Sequence, residues 1–426
     1  MKILVVGPGG REHAICRAFA NSLKVSKLFC ANGNAGIAAI AECIPIRPDD
    51  IGGLYSFAVS NNIDLTFVGG ETPLALGIVD KFSAGGLSVI GPNRAAAQLE
   101  ASKAFAKDFM ARHGIPTALY AIAHTAGFAI DELESGDLGD ASVPIVVKAD
   151  GLAAGKGVVV AANRAEAVAA VREMETLAGS DAAQKIVLEE CLTGPEVSLL
   201  MFVDGEDFAL MPPTRDHKRL GDGDTGPNTG GMGTIIDSSL LTAEQLQQIT
   251  DTIIRPTLHG CVREGFPFRG VLFLGLMMTA SGPKLLEYNV RFGDPEAQAI
   301  LVRLQTDLVD ICETMLAQKP LGQLNIQWRA GSSACVVLAS RGYPAAPQTG
   351  DPIQGLADAA SIAGVQIFHA GTAAGETPGS FITSGGRVLG ITAIGDSLNA
   401  ALTTAYTAVE KISFPGMQYR KDIGRI

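Results

Sequence analysis

The stretch that most limits what this chain can fold into is the apolar run G-V-L-F-L-G-L-M-M at 270–278. A short S-G-P-K turn follows, and then L-L-E-Y-N-V-R-F-G-D-P-E, ending at Glu296. An apolar run closed by a glycine–proline turn predicts a buried β-hairpin. Side chains alternate across a strand, so Glu287 and Asn289 are expected on one face, with Arg291 following them there. Two oxygen-bearing side chains aimed together suit a hard cation such as Mg²⁺, which takes a few protein oxygens and completes its shell with water and phosphates. Arg291 would set a fixed positive fork beside that ion. The same E-x-N-x-R alternation also describes the polar face of an ordinary edge strand.

The chain opens with K-I-L-V-V at 2–6, a predicted buried strand, then G-P-G-G-R-E-H, then a helical run from about Ala14. Strand, glycine turn and helix make a phosphate-binding opening, because backbone N–H groups at a helix start are unpaired. Gly9, Gly10 and Arg11 are therefore candidates for a phosphate-bearing substrate, the alternative being a purely structural turn. A dinucleotide site is disfavoured. The spacing is G-x-G-G, and the second strand, V-S-K-L-F-C, ends in A-N-G-N-A-G where an acidic ribose ligand would belong. Further strands at I-D-L-T-F-V-G-G, at E-T-P-L and at L-S-V-I-G-P complete a small parallel-sheet unit over residues 1–101.

From Ser102 the pattern turns helical, S-K-A-F-A-K-D-F-M-A-R-H-G-I-P, with Gly114 and Pro116 ending the helix. Lys103 sits in its first turn, where a solvated surface lysine is the ordinary reading. P-I-V-V-K-A-D-G-L-A-A-G-K-G-V-V-V then reads as strand, glycine loop, strand, unlike a Walker loop, which opens a helix. Gly151, Gly155 and Gly157 describe a lid whose backbone can close over phosphates, with Lys148 just before it in reach of an anionic oxygen. K-I-V-L-E-E-C-L-T-G-P-E-V-S gives two strands around a polar bend. Such a bend can offer backbone groups to an adenine edge and Glu196 to ribose hydroxyls, or it is a plain hairpin. Residues 215–233 are too glycine-rich for a helix or a long strand, and long irregular loops are usually functional or disordered. With Asp216, His217, Lys218 and Arg219 this one suggests a substrate loop. A helix is expected at about 242–265. Asp294 and Glu296 open another, where carboxylates suit the helix dipole. Beyond about 325, short strands and one helix predict a last small α/β unit.

Composition narrows the function classes. A net charge of −11 argues against nucleic acid as a partner, so any phosphate site must come from local groups. The seven cysteines include no C-x-x-C pair and read as reduced thiols of a cytoplasmic protein. The histidines lack H-x-x-x-H spacing, which disfavours zinc, and no stretch has the length and apolarity of a membrane span.

Taken in order, G-G-R-E-H, A-S-K-A-F, K-A-D-G-L-A-A-G-K-G-V, D-H-K-R, D-T-G-P-N-T-G-G-M-G, N-V-R-F-G-D-P-E and R-K-D-I-G carry a resemblance across essentially the whole chain. The chain resembles the phosphoribosylamine–glycine ligases (glycinamide ribonucleotide synthetases), ATP-grasp enzymes of purine synthesis. Two departures stand out: Arg215 precedes D-H-K, and T-I-I-D follows G-G-M-G. The resemblance implies an α/β, ATP-grasp ligase: a Rossmann-like N-terminal substrate domain over 1–101, an ATP-grasp region over 102–324 with a mobile lid at about 120–190, and a C-terminal domain over 325–426. It implies ATP held by Lys103, Lys148 and Gly155, with Glu189 and Leu192 on adenine through the backbone and Glu196 on ribose. Glu287 and Asn289 would hold Mg²⁺ or Mn²⁺. Gly9, Gly10, Arg11, Asp216, His217, Lys218, Arg291, Asp294 and Pro295 would contact glycine and 5-phosphoribosylamine. Arg291, Lys148, Asp216 and Lys218 would support catalysis. A monomer acting on small molecules is expected. Rival readings are another ATP-grasp ligase such as a carboxylase, a dehydrogenase, and a non-catalytic nucleotide sensor.

Overall fold

The computed structural model describes residues 1–152, 157–178 and 185–425. Its first unit is a five-stranded parallel sheet of β1 (Lys2–Val6), β2 (Lys27–Ala31), β3 (Glu42–Ile44), β4 (Leu65–Val68) and β5 (Val89–Ile90), in the order β3-β2-β1-β4-β5. β1 sits in the middle, and its Ile3, Leu4, Val5 and Val6 are fully buried, as parallel strands covered on both faces must be. Helix α1 spans Gly10–Ala20 and begins four residues earlier than its apolar pattern suggests. The cause is a cap supplied from inside the helix. Glu12, in the first turn, accepts the Gly9 N–H at 2.7 Å, so the helix starts inside the glycine turn itself. The E-T-P-L segment is not a strand: Glu71–Ala75 is a short helix entered from Gly70.

Helix α2 (Lys103–Arg112) follows, capped by Ser102, whose hydroxyl accepts the Phe105 N–H at 3.0 Å. A second sheet is built from β6 (Tyr120–Ala123), β7 (Ile145–Ala149), β8 (Val158–Ala161) and β9 (Ile186–Glu190), all antiparallel in the order β6-β9-β7-β8. Helices α3 (Ala126–Ser135) and α4 (Arg164–Ala178) belong to this unit. Its core of Ala129, Leu133, Ile145, Val147, Val171, Ile186 and Leu188 is separate from the rest. The unit runs from Tyr120 to Glu190.

The largest sheet begins with β10 (Glu196–Asp204) and its hairpin partner β11 (Asp207–Leu210). Residues 215–233 are not strandless: β12 (Thr214–Asp216), β13 (Arg219–Gly221), β14 (Thr225–Asn228) and β15 (Gly233–Ile236) are short pieces joined by glycine turns. The helix expected at 242–265 is present over 243–263 with a π-helical turn inside it at 250–254. The opening hairpin is there as β16 (Arg269–Thr279) and β17 (Gly282–Asn289), followed by helix α5 (Glu296–Leu301). β17 stops at Asn289, so Arg291 lies past the strand and not on it.

The C-terminal strands are β18 (Ser332–Ala339), β19 (Pro352–Ile353), β20 (Val365–His369), β21 (Thr372–Ala374), β22 (Phe381–Thr383) and β23 (Arg387–Gly395), with helix α6 at Leu398–Val409. β19, β22 and β21 pair as a separate three-stranded sheet, whereas β18, β23 and β20 join the largest one. β18 pairs with β15, giving one continuous path β17-β16-β10-β12-β15-β18-β23-β20. Phe292, 1 % exposed just after β17, ties the units together. It stacks on Phe67 of β4 at 6.2 Å and meets Phe202 of β10 edge-on at 6.0 Å. Aromatic pairs of this geometry add to the gain from burial. Phe292→Ala is expected to cost about 3–5 kcal/mol by opening a cavity at this junction, seen as a lower urea unfolding midpoint. An unchanged midpoint would show that the first sheet docks by other contacts.

Candidate active site

The start of α2 is bound to the turn that ends β7. Ser102 Oγ donates to Asp150 Oδ1 at 2.9 Å, the Ala104 N–H donates to the same oxygen at 2.7 Å, and Lys103 Nζ donates to the Gly151 carbonyl at 3.0 Å. These bonds bring Lys103 together with Lys148 of β7. One helical turn on from Lys103, Lys107 is 2 % exposed, 2.9 Å from Glu189 Oε2 and donating to Thr117 Oγ1 at 2.7 Å. Lys148 Nζ lies 2.7 Å from the other oxygen, Glu189 Oε1. One buried carboxylate is thus shared by two ammonium groups. Burial pushes Lys107 down to about 8 against the pull of Glu189, and burial lowers Lys103 as well. Leu192 lies in the bend between β9 and β10, and Glu196 begins β10.

Across from these lysines stand Glu287 and Asn289, on one side of β17 with buried Tyr288 between them on the other. Gly275 on β16 is paired with Glu287, and a methyl there would lie 3.1 Å from Glu287 Cγ, so the glycine leaves the carboxylate room. Burial works to raise the Glu287 pKa, but Lys218, Lys148, Lys103 and Arg291 overcome it and hold it at about 2. Lys218 Nζ sits 3.4 Å from Glu196 Oε2 and 3.7 Å from Glu287 Oε1, and all three side chains remain partly open to solvent. An ionised carboxylate beside an amide oxygen, facing several lysines, is the donor set of a hard divalent cation that shares its shell with phosphate oxygens. Among the described residues no group of three or more His, Cys, Asp or Glu could cage a metal alone.

Arg291 occupies the corner between the hairpin and the first sheet. Its Nε donates to Glu71 at 3.2 Å, and Nη2 donates to Glu100 at 2.7 Å and to Asn289 Oδ1 at 3.0 Å. It therefore orients the amide of Asn289, and its fork is largely committed within the protein. Arg11 lies alongside. Its Nε donates to Glu12 at 2.7 Å, its Nη1 donates to the Phe292 carbonyl at 3.2 Å, and Glu71 lies 3.8 Å away. Glu71 is held at about 2: burial would raise it, but Arg291 and Arg11 prevail. For Glu100 burial prevails over Arg291, and its pKa rises to about 7. Gly9 comes close to this cluster; a methyl on it would lie 3.3 Å from Asp294 Oδ2.

The loop 215–233 meets the same region from the other side. Asp216 closes β12 and accepts the His217 N–H at 2.7 Å; burial and then nearby Glu296 push its pKa well up. Asp294 pairs with Arg387 of β23 at 3.1 Å and accepts from Gln298 Nε2 at 2.6 Å. Burial would raise Asp294, but Arg387 and Arg11 keep it below the usual carboxylate range. Arg387 also donates to the carbonyls of Asp294, at 2.5 Å, and Gly230. Gly231, at φ +108°, packs against Pro295 and Asp216 where a methyl would meet both at under 3 Å. His217 faces elsewhere. Its Nδ1–H points to the Gly233 carbonyl at 3.2 Å and its Nε2 accepts the Gly424 N–H at 3.1 Å, so both ring nitrogens are occupied within the protein.

The structure therefore draws Lys103, Lys148, Glu189, Glu196, Lys218, Glu287 and Asn289 into one charged cluster, with Gly9, Arg11, Arg291, Asp216, Asp294 and Pro295 adjoining it. Gly10, inside the first turn of α1, packs against Gln298. Gly155 lies outside the described residues. Sequence reasoning missed Lys107, Glu71, Glu100 and Arg387. Lys107 had a visible signal, its i+4 spacing from Lys103 on one helix face. The other three carry no local pattern, since each acts through partners far away in the chain.

Three family models match the chain: phosphoribosylglycinamide synthetase N domain over residues 1–100, its ATP-grasp (A) domain over 101–297, and its C domain over 333–426. A phosphoribosylamine–glycine ligase of Xanthomonas axonopodis pv. citri is 48 % identical over 430 aligned positions, covering 100 % of this chain and 97 % of that protein. The crystal structure of phosphoribosylamine–glycine ligase from Thermotoga maritima superposes with a TM-score of 0.83 at 33 % identity, each chain covered in full. The biotin carboxylase domain of Hydrogenobacter thermophilus 2-oxoglutarate carboxylase, solved with MgADP and bicarbonate, has a TM-score of 0.73 at 17 % identity. It covers 98 % of this chain and 91 % of that one, and shares the fold.

His217 supplies a pH test of this architecture. Burial, then Arg420, pushes its pKa down to about 4. The folded value lies below the unfolded one, so the unfolded chain takes up the proton first as the pH falls. The contribution is complete above about pH 6.5 and declines toward pH 4. His217→Gln is expected to lose less stability than wild type between about pH 7.5 and pH 4, by roughly 3 kcal/mol, in urea unfolding. Equal losses would mean that His217 titrates as a solvent-exposed group.

Proposed function

The chain belongs to the phosphoribosylglycinamide synthetase family, and from that premise we propose how its own residues carry the ligation of glycine to 5-phosphoribosylamine at the expense of ATP. It is an ATP-dependent carbon–nitrogen ligase of purine synthesis. The observation that carries the division of labour is the cleft around Glu287, where one ionised carboxylate faces Lys103, Lys148 and Lys218. Several ammonium groups turned toward one partly dehydrated carboxylate suit a polyphosphate that arrives with a divalent cation.

In this reading Lys103 and Lys148 take the ATP phosphates, with Lys148 steadied by Glu189. The backbone of Glu189 and Leu192 lies against adenine, and Glu196 takes the ribose. Glu287 and Asn289 would hold Mg²⁺ or Mn²⁺, and the ion would supply positive charge that screens the phosphates from an incoming carboxylate. A carboxylate is a poor acylating agent, so the glycine carboxylate first attacks the γ-phosphorus, releasing ADP and giving glycyl phosphate. The amine of phosphoribosylamine then attacks the acyl carbon, forming the amide and expelling phosphate. Gly9, Gly10 and Arg11 receive the ribose phosphate at the start of α1. Asp216, Lys218, Asp294 and Pro295 border the acyl centre, and Arg291 fixes the Asn289 ligand and adds positive charge where the oxyanion develops. His217 serves by holding the loop. In this reading the chain acts as a monomer. Its seven cysteines are all unpaired, which supports a reducing cytoplasm. No described helix is long and apolar enough to cross a membrane.

Phosphate release from ATP tests the reading. It should require both glycine and phosphoribosylamine, and alanine should replace glycine poorly, since a pocket for a hydrogen side chain excludes a methyl. Equal turnover with both amino acids, or turnover with bicarbonate instead, would remove the assignment. Glu287→Gln should raise the Mg²⁺ concentration needed for half-maximal rate by about tenfold, because an anionic ligand is lost. A wild-type metal dependence would leave Glu287 as an ordinary strand residue. Arg291→Lys keeps the charge but cannot fork to Glu71, Glu100 and Asn289 at once. Its kcat should fall by roughly 10²-fold with little change in KM for ATP. A change confined to the ATP KM would make Arg291 a ground-state phosphate clamp.

A further inference from the structure

The R-K-D-I-G string near the end of the chain has no part in the chemistry above, yet its arginine is fully buried. Arg420 Nε and Nη2 donate to the two oxygens of Asp422, each at 2.8 Å. Nη1 donates to Asp224 Oδ1 at 2.5 Å and to the Arg219 carbonyl at 3.3 Å. Asp422 in turn accepts the Gly223 N–H at 2.7 Å, and Asp222 accepts the Lys421 N–H at 2.7 Å. Gly424 donates to His217, and Tyr406 of α6 closes the segment from behind, donating to the Arg420 carbonyl at 2.9 Å and accepting from the Ile423 N–H at 3.1 Å.

All the loop partners belong to the β13–β14 hairpin or to the residue just before Lys218. That hairpin is G-D-G-D-T-G at its tip, with left-handed backbone at Gly223, Asp224 and Gly226. It has almost no apolar surface to bury, and an isolated two-stranded hairpin is marginal in water. Its shape must be imposed from outside. Asp222, Asp224 and Asp422 also crowd one corner, and without a cation there they would repel one another.

We propose that Tyr419–Gly424 is a strap that positions the substrate loop 215–233, with Arg420 as the positioning residue acting through Asp224 and the Arg219 backbone on neighbouring Lys218 and Asp216. This rests on the reading of Asp216 and Lys218 as groups on the glycine and phosphoribosylamine side of the cleft. In that reading Lys103, Lys148 and the β9–β10 bend hold most of ATP, and the strap reaches the nucleotide side only through Lys218 beside Glu196, so it bears on those two substrates more than on nucleotide binding.

The test uses the full chain with Arg420→Gln, Arg420→Lys and Asp224→Ala. Asp224 is half exposed, so Asp224→Ala cuts the strap from the loop side without emptying a core site and decides the matter if Arg420→Gln fails to fold. Hydrogen exchange of amides 219–228, without substrates, should quicken in Arg420→Gln and Asp224→Ala. In the same variants KM for glycine or phosphoribosylamine should rise by roughly tenfold, as for one lost charge-assisted hydrogen bond, with KM for ATP within about twofold. Arg420→Lys should recover part of the loss, and the double variant Asp224→Ala with Arg420→Gln should be little worse than Arg420→Gln. Unchanged exchange overturns the strap. Faster exchange with unchanged KM for both substrates instead shows that the loop is not on the substrate side. A parallel rise in the ATP KM overturns the claim that the strap acts selectively.

Discussion

The site depends on one largely enclosed guanidinium. Arg291 reaches Glu71 from the short helix after β4, Glu100 from the segment leading to α2, and Asn289 at the end of β17. These groups come from three parts of the chain, and each would pay a large desolvation cost alone. Breaking one partner of such a buried cluster typically costs about 3–5 kcal/mol, because it strands a charge. The cluster is weak evidence for net stability. It is strong evidence for geometry, since only one arrangement of the first sheet, α2 and the hairpin satisfies all its members together. The amide proposed as a metal ligand is aimed by this knot.

The same knot separates the behaviour of two carboxylates that share one arginine. Glu71, close to both Arg291 and Arg11, stays ionised with its pKa at about 2. Glu100, buried more effectively than it is paired, titrates at about 7. Environments that push paired acids apart in this way are how a fold keeps one group charged and another free to exchange a proton. The lysines of the cleft follow the complementary rule. Lys107 gives up much of its proton affinity to burial, while Lys218, beside Glu196 and then Glu287, is held firmly charged.

Much of this was readable from residues in order, because the signals were local. Strand, glycine turn and helix at Lys2–Ala20, the E-x-N alternation on β17, and the strand–loop–strand around Lys148 each sit within a few neighbouring positions. Local rules failed where a distant partner decided the outcome. The onset of α1 at Gly10 follows from Glu12 reaching back to Gly9. Arg291 was placed on a strand face, yet β17 ends two residues earlier and the side chain is steered by acids 220 and 191 positions away. The C-terminal unit was legible as small α/β from its short strands and glycines, but the pairing of β18 with β15 is a long-range event that no local pattern encodes.

That pairing explains why the end of the chain bears on the cleft at all. β15 follows directly on the substrate loop, so a C-terminal unit hydrogen-bonded to β15 is built onto the loop's own frame. Arg387 enters from β23 to hold Asp294 and the Gly230 carbonyl, and Arg420 enters from the terminal segment to hold the hairpin tip. Two arginines from one unit thus grip the loop at its hairpin tip and near its C-terminal end. A glycine-rich loop has little intrinsic preference for one shape, and ordering it costs more conformational entropy than ordering most segments. Charge-assisted bonds from a rigid sheet offset that cost in advance, before any substrate arrives, which is the condition for a loop that must present Asp216 and Lys218 in a fixed geometry.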